Sequence, residues 1–223
     1  MQLTTEQIDL IEKTLVLNGL IYDDLKLEVI DHIATEIEVL LNKNNTSFDE
    51  ALVAVFTDWQ EQLRPSTSMW IWGTNPIPKM VILKCNKMML DVFKMSLSLG
   101  LVFAIIVTVL IKNAANNEII DNLNTVLKGC AITAIVFLLL AKYKLLKSKQ
   151  YSSFRYLFDR NGLIQIFNLI AIAAGILQFK ANEELSNFNF MTIFLPVVMI
   201  IASGFYAMLA VKHFQFEKKL KIQ

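Results

Sequence analysis

The sequence predicts an all-α chain: a small cytoplasmic three-helix domain followed by a four-helix transmembrane bundle. Three observations lead there. Four long apolar runs, Val92–Ile111, Val126–Ala141, Gly162–Phe179 and Phe190–Val211, fill the C-terminal part. Residues 1–64 are polar, with apolar positions recurring at helical spacing. Basic residues crowd every second loop. The organisation is then 1–64 domain, 65–90 linker and juxtamembrane segment, and 91–223 membrane region, with spans at about 92–111, 126–143, 162–179 and 190–211.

The first helix starts at Thr4 or Thr5 and carries Ile8, Leu10, Ile11, Leu15 and Leu17. Asn18-Gly19 stops it, a pair that favours the left-handed cap. The second runs from about Tyr22 to Asn42, with Leu25, Val29, Ile33, Ile37 and Leu40 as one stripe. Asp23 and Asp24 suit the positive end of its dipole. The third opens on Ser47-Phe48-Asp49-Glu50, a capping box in which Ser47 caps and Glu50 reaches back. Ala51, Val55 and Trp59 continue its apolar face, and Arg64-Pro65 ends it. A core this small needs support from the membrane region or a partner.

Asn75-Pro76-Ile77-Pro78 marks a bend. Met80–Met89, with Lys79, Lys84 and Lys87, is amphipathic and basic and suits the anionic inner leaflet. Trp59, Trp70 and Trp72 are either a partner patch or interfacial anchors, the anchor being favoured. A bilayer core of about 30 Å needs roughly 20 helical residues. The second run is short and holds Lys128, whose stem snorkels. Tyr151, Phe154, Tyr156 and Phe158 form a further interfacial segment, and Asp159-Arg160-Asn161-Gly162 a turn into the third span. Pro196 is expected to kink the fourth span, and His213 to snorkel at its tail.

Charge sets the orientation. The first, third and fifth connecting regions hold fourteen basic residues: Lys79 to Lys94, Lys142 to Arg160, and Lys212 to Lys221. The opposite side holds Lys112, Lys128 and Lys180. Both termini are therefore expected in the cytoplasm of a bacterial inner-membrane protein. The exported loops, Asn113–Thr125 and Lys180–Asn189, are too short for a domain. The acidic N-terminus has no basic region and no apolar stretch, so no cleaved signal peptide is expected and the first span acts as the anchor.

Composition bounds the function. The 223 residues are 55% hydrophobic and 18% charged, with mean hydropathy +0.48 and net charge +1. Nothing global attracts nucleic acid, so no direct nucleic-acid partner is expected. Membrane lipid is implied by the apolar runs. Cys85 and Cys130 are too few for a disulfide framework and fall at opposite ends of spans. No phosphate-binding Gly-rich loop, nucleophile elbow, His-Glu-x-x-His or Cys-x-x-Cys occurs, so neither enzyme nor cofactor is expected. No ionisable residue lies near the middle of a span, which argues against an ion pump.

Several residues remain as candidates. Glu28, His32 and Glu36 share one helix face, but three side chains strung over eight positions do not converge on one metal ion. With Asp31 and Trp59 they form the expected partner surface. Ser96, Gly100 and Ala104, and separately Ala171 and Gly175, recur every four residues, as bundle or homo-oligomer contacts do. Gln165 and Asn168 are the most polar intramembrane pair, suited to interhelical hydrogen bonds and less so to a substrate or lipid headgroup.

One stretch carries a family likeness. Leu27-Glu28-Val29-Ile30-Asp31-His32-Ile33, then Glu36-Ile37-Glu38, then Ser47-Phe48-Asp49-Glu50-Ala51 with Phe56 and Trp59, resembles the helical PadR-associated sensor (HAAS) domain over about residues 5–63. The resemblance implies a cytoplasmic domain ahead of several membrane helices, a role in regulation or signalling, and association with a PadR-type transcription regulator. The expected function is a non-enzymatic membrane sensor with a protein partner. The alternative is a structural or accessory subunit of a transport or secretion complex. A transporter is disfavoured by the apolar span centres.

Overall fold

A computed structural model describes residues 2–44, 46–71, 75–113, 118–179 and 190–221. Among these the regular structure is helical apart from one two-residue ladder. The helices are α1 (Thr5–Leu17), α2 (Asp23–Asn44), α3 (Phe48–Leu63), α4 (Lys79–Lys112), α5 (Glu118–Lys147), α6 (Ser153–Ala173) and α7 (Phe190–Leu220).

Local chemistry sets the ends of the first three. Thr4 caps α1 by accepting from the Gln7 amide at 3.3 Å, while Gln7 accepts from the Thr4 amide at 2.9 Å. Gly19, at φ +85°, closes it with bonds from Gly19 N–H to the Val16 carbonyl and from Leu20 N–H to Leu15. Ser47 and Glu50 form the reciprocal box on α3. α2 lies in the middle and buries Leu25, Val29, Ile33 and Ile37 against Ile11 and Leu15 of α1 and Ala51 and Val55 of α3.

The linker is tied at its base. β1 (Pro65–Ser66) pairs antiparallel with β2 (Ile77–Pro78), and the Lys79 amide donates to the Arg64 carbonyl at 3.0 Å. Lys79 also bonds Glu61, so the end of α3 is fixed beside the start of α4. Met80–Met89 is the first part of α4 and not a separate leaflet-lying helix. Val81, Ile82 and Cys85 are buried there, so its apolar side is spent on protein.

The four C-terminal helices pack as an up-down bundle. α4 runs antiparallel to α7, with Gly100 against Val198 and the Tyr206 hydroxyl 3.2 Å from the Met89 sulfur. α5 and α6 pair through Lys142 and Asp159 near one end and Asn124 and Phe179 at the other. Lys84 of α4 and Lys212 of α7 both lie over the Phe154 ring, at 5.4 and 5.9 Å from its centroid. The start of α4 and the end of α7 therefore sit at the same end of the bundle.

Three helices, α4, α5 and α7, are long and apolar enough to cross a membrane. α6 is not among them, so the expected third span, 162–179, is not shown as one. Its first turns carry Arg155, Asp159 and Arg160, and the helix closes at Ala173. From Gly162 to Ala173 it rises only about 18 Å. The segment Asp159–Gly162 is not a turn either but lies inside α6, because Ser152 caps the helix well upstream. Beyond Ala173 the chain continues without helix to Phe179. There the Asn124 side chain accepts from the Phe179 amide at 2.8 Å and donates to its carbonyl at 2.9 Å. Those bonds satisfy non-helical backbone in an apolar setting. Pro196 lies within α7, which continues through it.

Candidate functional site

The first turn of α2 forms a polar seam with the bundle. Tyr22 is buried, its ring 5.4 Å from Tyr151 and 5.3 Å from Tyr156. The Asp23 amide donates to the Tyr151 carbonyl, and the Asp23 carboxylate accepts from the Tyr151 amide, both at 2.8 Å. The Asp24 carboxylate accepts from the Ser153 amide at 2.7 Å, from the Ser153 hydroxyl, and from Lys84 Nζ at 2.8 Å. The Ser153 amide is one of the unpaired donors at the start of α6, where the helix dipole also favours a carboxylate. Tyr151 and Tyr156 are thus packing residues of the seam, and Phe158 is buried, rather than lipid-interface anchors. Burial pushes the Tyr22 and Tyr151 phenols above their ordinary pKa, which keeps both neutral.

A second layer fixes the α5–α6 turn. His213 is fully buried, which corrects the expected snorkelling tail. Its Nδ1 lies 2.8 Å from Ser152 Oγ and its Nε2 3.1 Å from Ser148 Oγ. Ser148 Oγ donates to Glu217, which only accepts, so it in turn accepts from His213 Nε2–H. Burial lowers the His213 pKa and favours the neutral ring, in which Nδ1 is the acceptor for the Ser152 hydroxyl. Ser152 Oγ also caps α6 by accepting from the Arg155 amide at 3.2 Å. Arg155 Nη1 donates to the Ser148 and Gln150 carbonyls at 3.0 and 2.9 Å. The Ser152–His213 pair resembles a nucleophile and base, but Ser152 is fully buried and its oxygen is engaged. The arrangement couples four segments mechanically and leaves no face for a substrate.

The expected partner surface lies elsewhere on α2. Glu28, Asp31, His32 and Glu36 are exposed, and Trp59 of α3 is half-buried. Trp59 Nε1 donates to Glu36 at 3.0 Å. The two belong to a cleft of about 510 Å³ between α2 and α3, floored by Val39, Leu40 and Val55 and flanked by Asp58. Among the described residues no three metal-ligating side chains converge.

The intramembrane candidates resolve differently. Ser96, Gly100 and Ala104 are buried inside the chain's own bundle, so this stripe is spent on α7 and does not face a second copy. Gly175, at φ +76°, is the left-handed cap that ends α6 through bonds from Gly175 N–H to Ile172 and from Ile176 N–H to Ala171. It is a terminator, not a packing notch. Gln165 donates to the Met199 carbonyl at 2.5 Å, the interhelical role expected of it. Asn168 is half-buried. Trp70 is exposed, and its carbonyl accepts from Asn161 at 3.0 Å. Trp72 and the Lys180–Asn189 loop lie outside the described residues. Both cysteines are free, Cys85 buried and Cys130 exposed.

Sequence reasoning missed the seam. Ser152-Ser153 ahead of an apolar helix was a readable cap, but nothing local linked it to Asp24 or His213. No family model, curated protein or solved structure matches the chain.

Proposed function

We propose that this is a non-enzymatic, four-span inner-membrane sensor or regulatory protein with both termini in the cytoplasm. Its helical domain binds a protein partner, for which the resemblance to HAAS domains favours a PadR-type transcription regulator. The observation that carries the reading is the Asp24 bond to the start of α6. It makes the placement of the domain depend on the α5–α6 turn, so a change in bundle packing alters what the domain presents. Placement of Lys84 and Lys212 at one end of the bundle supports an even number of crossings, with α6 and residues 174–179 as the fourth. The test is affinity capture of the tagged protein from its native membrane in mild detergent. Recovery of a soluble DNA-binding regulator, lost when residues 1–64 are deleted, supports the reading; unchanged recovery after deletion refutes it.

A second reading, an accessory subunit of a larger membrane complex, draws on one feature. A groove of about 630 Å³ on the outer face of α5 and α7 is lined by Gly129, Cys130, Ala134, Gly204 and Ala207. Side chains added at Gly129 or Gly204 would meet nothing. Membrane proteins recovered in fixed ratio would favour this reading over the sensor.

A further inference from the structure

We infer that the α2–α3 cleft takes a cationic amphipathic helix of the protein partner, an inference that rests on the regulatory reading above. Residues 1–64 hold thirteen acidic and four basic side chains, a net −9, while the remaining residues hold seventeen basic and seven acidic, a net +10. Two acids of the domain pair with lysines of α4 and two with a lysine of α2. Asp24 pairs with Lys84, Glu61 with Lys79, and Asp23 and Glu12 with Lys26. Among the described residues, the ion pairs include none from Glu28, Asp31, Glu36 or Asp58. Of these, Glu36 and Asp58 line the cleft, and Asp31 lies one helical turn before its lining residue Thr35.

The floor is apolar, with Val39 at 44% exposure and Trp59 held open by its bond to Glu36. An apolar floor under an acidic rim matches a helix with aliphatic residues on one face and Lys or Arg flanking them. The same charge repels the other occupants. The helical domain of a second copy would bring −9 against −9, and an anionic leaflet repels the domain as well. Position favours access too: Glu36 lies twelve residues, about 18 Å along α2, from Asp24 at the seam.

The probe is a synthetic ~18-residue Leu/Lys amphipathic peptide, with its Leu/Glu counterpart as control, added to the full chain in phosphatidylcholine nanodiscs and corrected for empty discs. Hydrogen exchange of α2 and α3 locates the contact. Asp31→Asn with Asp58→Asn, and separately Val39→Ser, are expected to weaken binding about tenfold. Glu6→Gln with Asp9→Asn removes the same charge from α1 and is expected to change it less than about twofold. Equal losses from both charge pairs, or equal binding of the Leu/Glu peptide, overturn the inference. Regulator capture separates the two claims. Capture that needs residues 1–64 but tolerates Asp31→Asn with Asp58→Asn ends this inference and leaves the regulatory reading standing. Capture that survives deletion of 1–64 ends both.

Discussion

The Asp24 carboxylate accepts the backbone amide of Ser153, so a residue in the first turn of α2 closes the first turn of α6 from 129 positions away. The same carboxylate holds Lys84 and has only 4% of its side chain exposed. Removing the carboxylate strands the buried Ser153 groups, while Lys84, with 29% of its side chain exposed, reaches solvent, a loss of about 1–3 kcal/mol. Asp24→Asn is expected to release the domain, seen as faster hydrogen exchange at Tyr22 to Leu25 and at the start of α6. Adding Lys84→Met to that variant is expected to cost little more, because the lysine has already lost its partner. Additive losses would show that the two residues act separately.

Gly100 sets how closely α4 approaches α7. A Cβ there would overlap Val198 Cγ2 and lie 3.3 Å from its Cα. Gly100→Ala is expected to force the helices apart and lower stability by about 1–3 kcal/mol, read as a lower melting temperature in detergent. Val198→Ala removes the nearer clash but not the backbone one, so the double variant is expected to recover only part. A Gly100→Ala chain that melts like the parent would mean the two helices do not meet as described.

The parts of the fold legible in sequence were those set by local rules. Ser47 and Glu50 form the capping box their spacing predicts, and Asn18-Gly19 ends α1 as such a pair does. The apolar runs in α4, α5 and α7 were equally plain. Errors came where one residue type serves two purposes. Gly175 four residues after Ala171 matched a packing notch, yet its positive φ makes it a helix stop. Asp159 to Gly162 has turn composition, yet Asn161 is helical and spends its amide on Trp70. His213 after an apolar run suggested a wet helix end, when two serines 61 and 65 positions away bury it. The seam was invisible for the same reason: its partners meet only after the bundle has folded.

The α3 cap carries a pH signature. The bond from the Ser47 amide holds the Glu50 carboxyl below its ordinary pKa. A folded pKa below the unfolded one means the contribution is present above the unfolded value, about 4.3, and is lost as pH falls through the folded value. Protection of the first α3 amides is therefore expected to decline in acid, after correction for intrinsic exchange. Glu50→Gln keeps the reach-back bond without the charge and is expected to flatten that decline. Ser47→Ala removes the cap at every pH, at about 1 kcal/mol. An unchanged acid limb in Glu50→Gln would assign the decline to another group.

Topology gives the sharpest test of the membrane reading. Three crossings would put the ends of the chain on opposite sides, yet Lys84 and Lys212 flank the same Phe154 ring. On the proposed four-span reading, a helix of 21 residues followed by residues 174–179 returns the chain across the bilayer. In a chain carrying Cys85→Ser and Cys130→Ser, single cysteines can be placed as Glu6→Cys, Asn113→Cys or Lys219→Cys, all at exposed positions. An impermeant maleimide added to intact cells is expected to label only Asn113→Cys, and the other two only after permeabilisation. The excess of basic residues on the side of both termini favours this orientation. Labelling of Lys219→Cys from outside would mean that α6 does not cross, and the bundle would have to open for α7 to span alone.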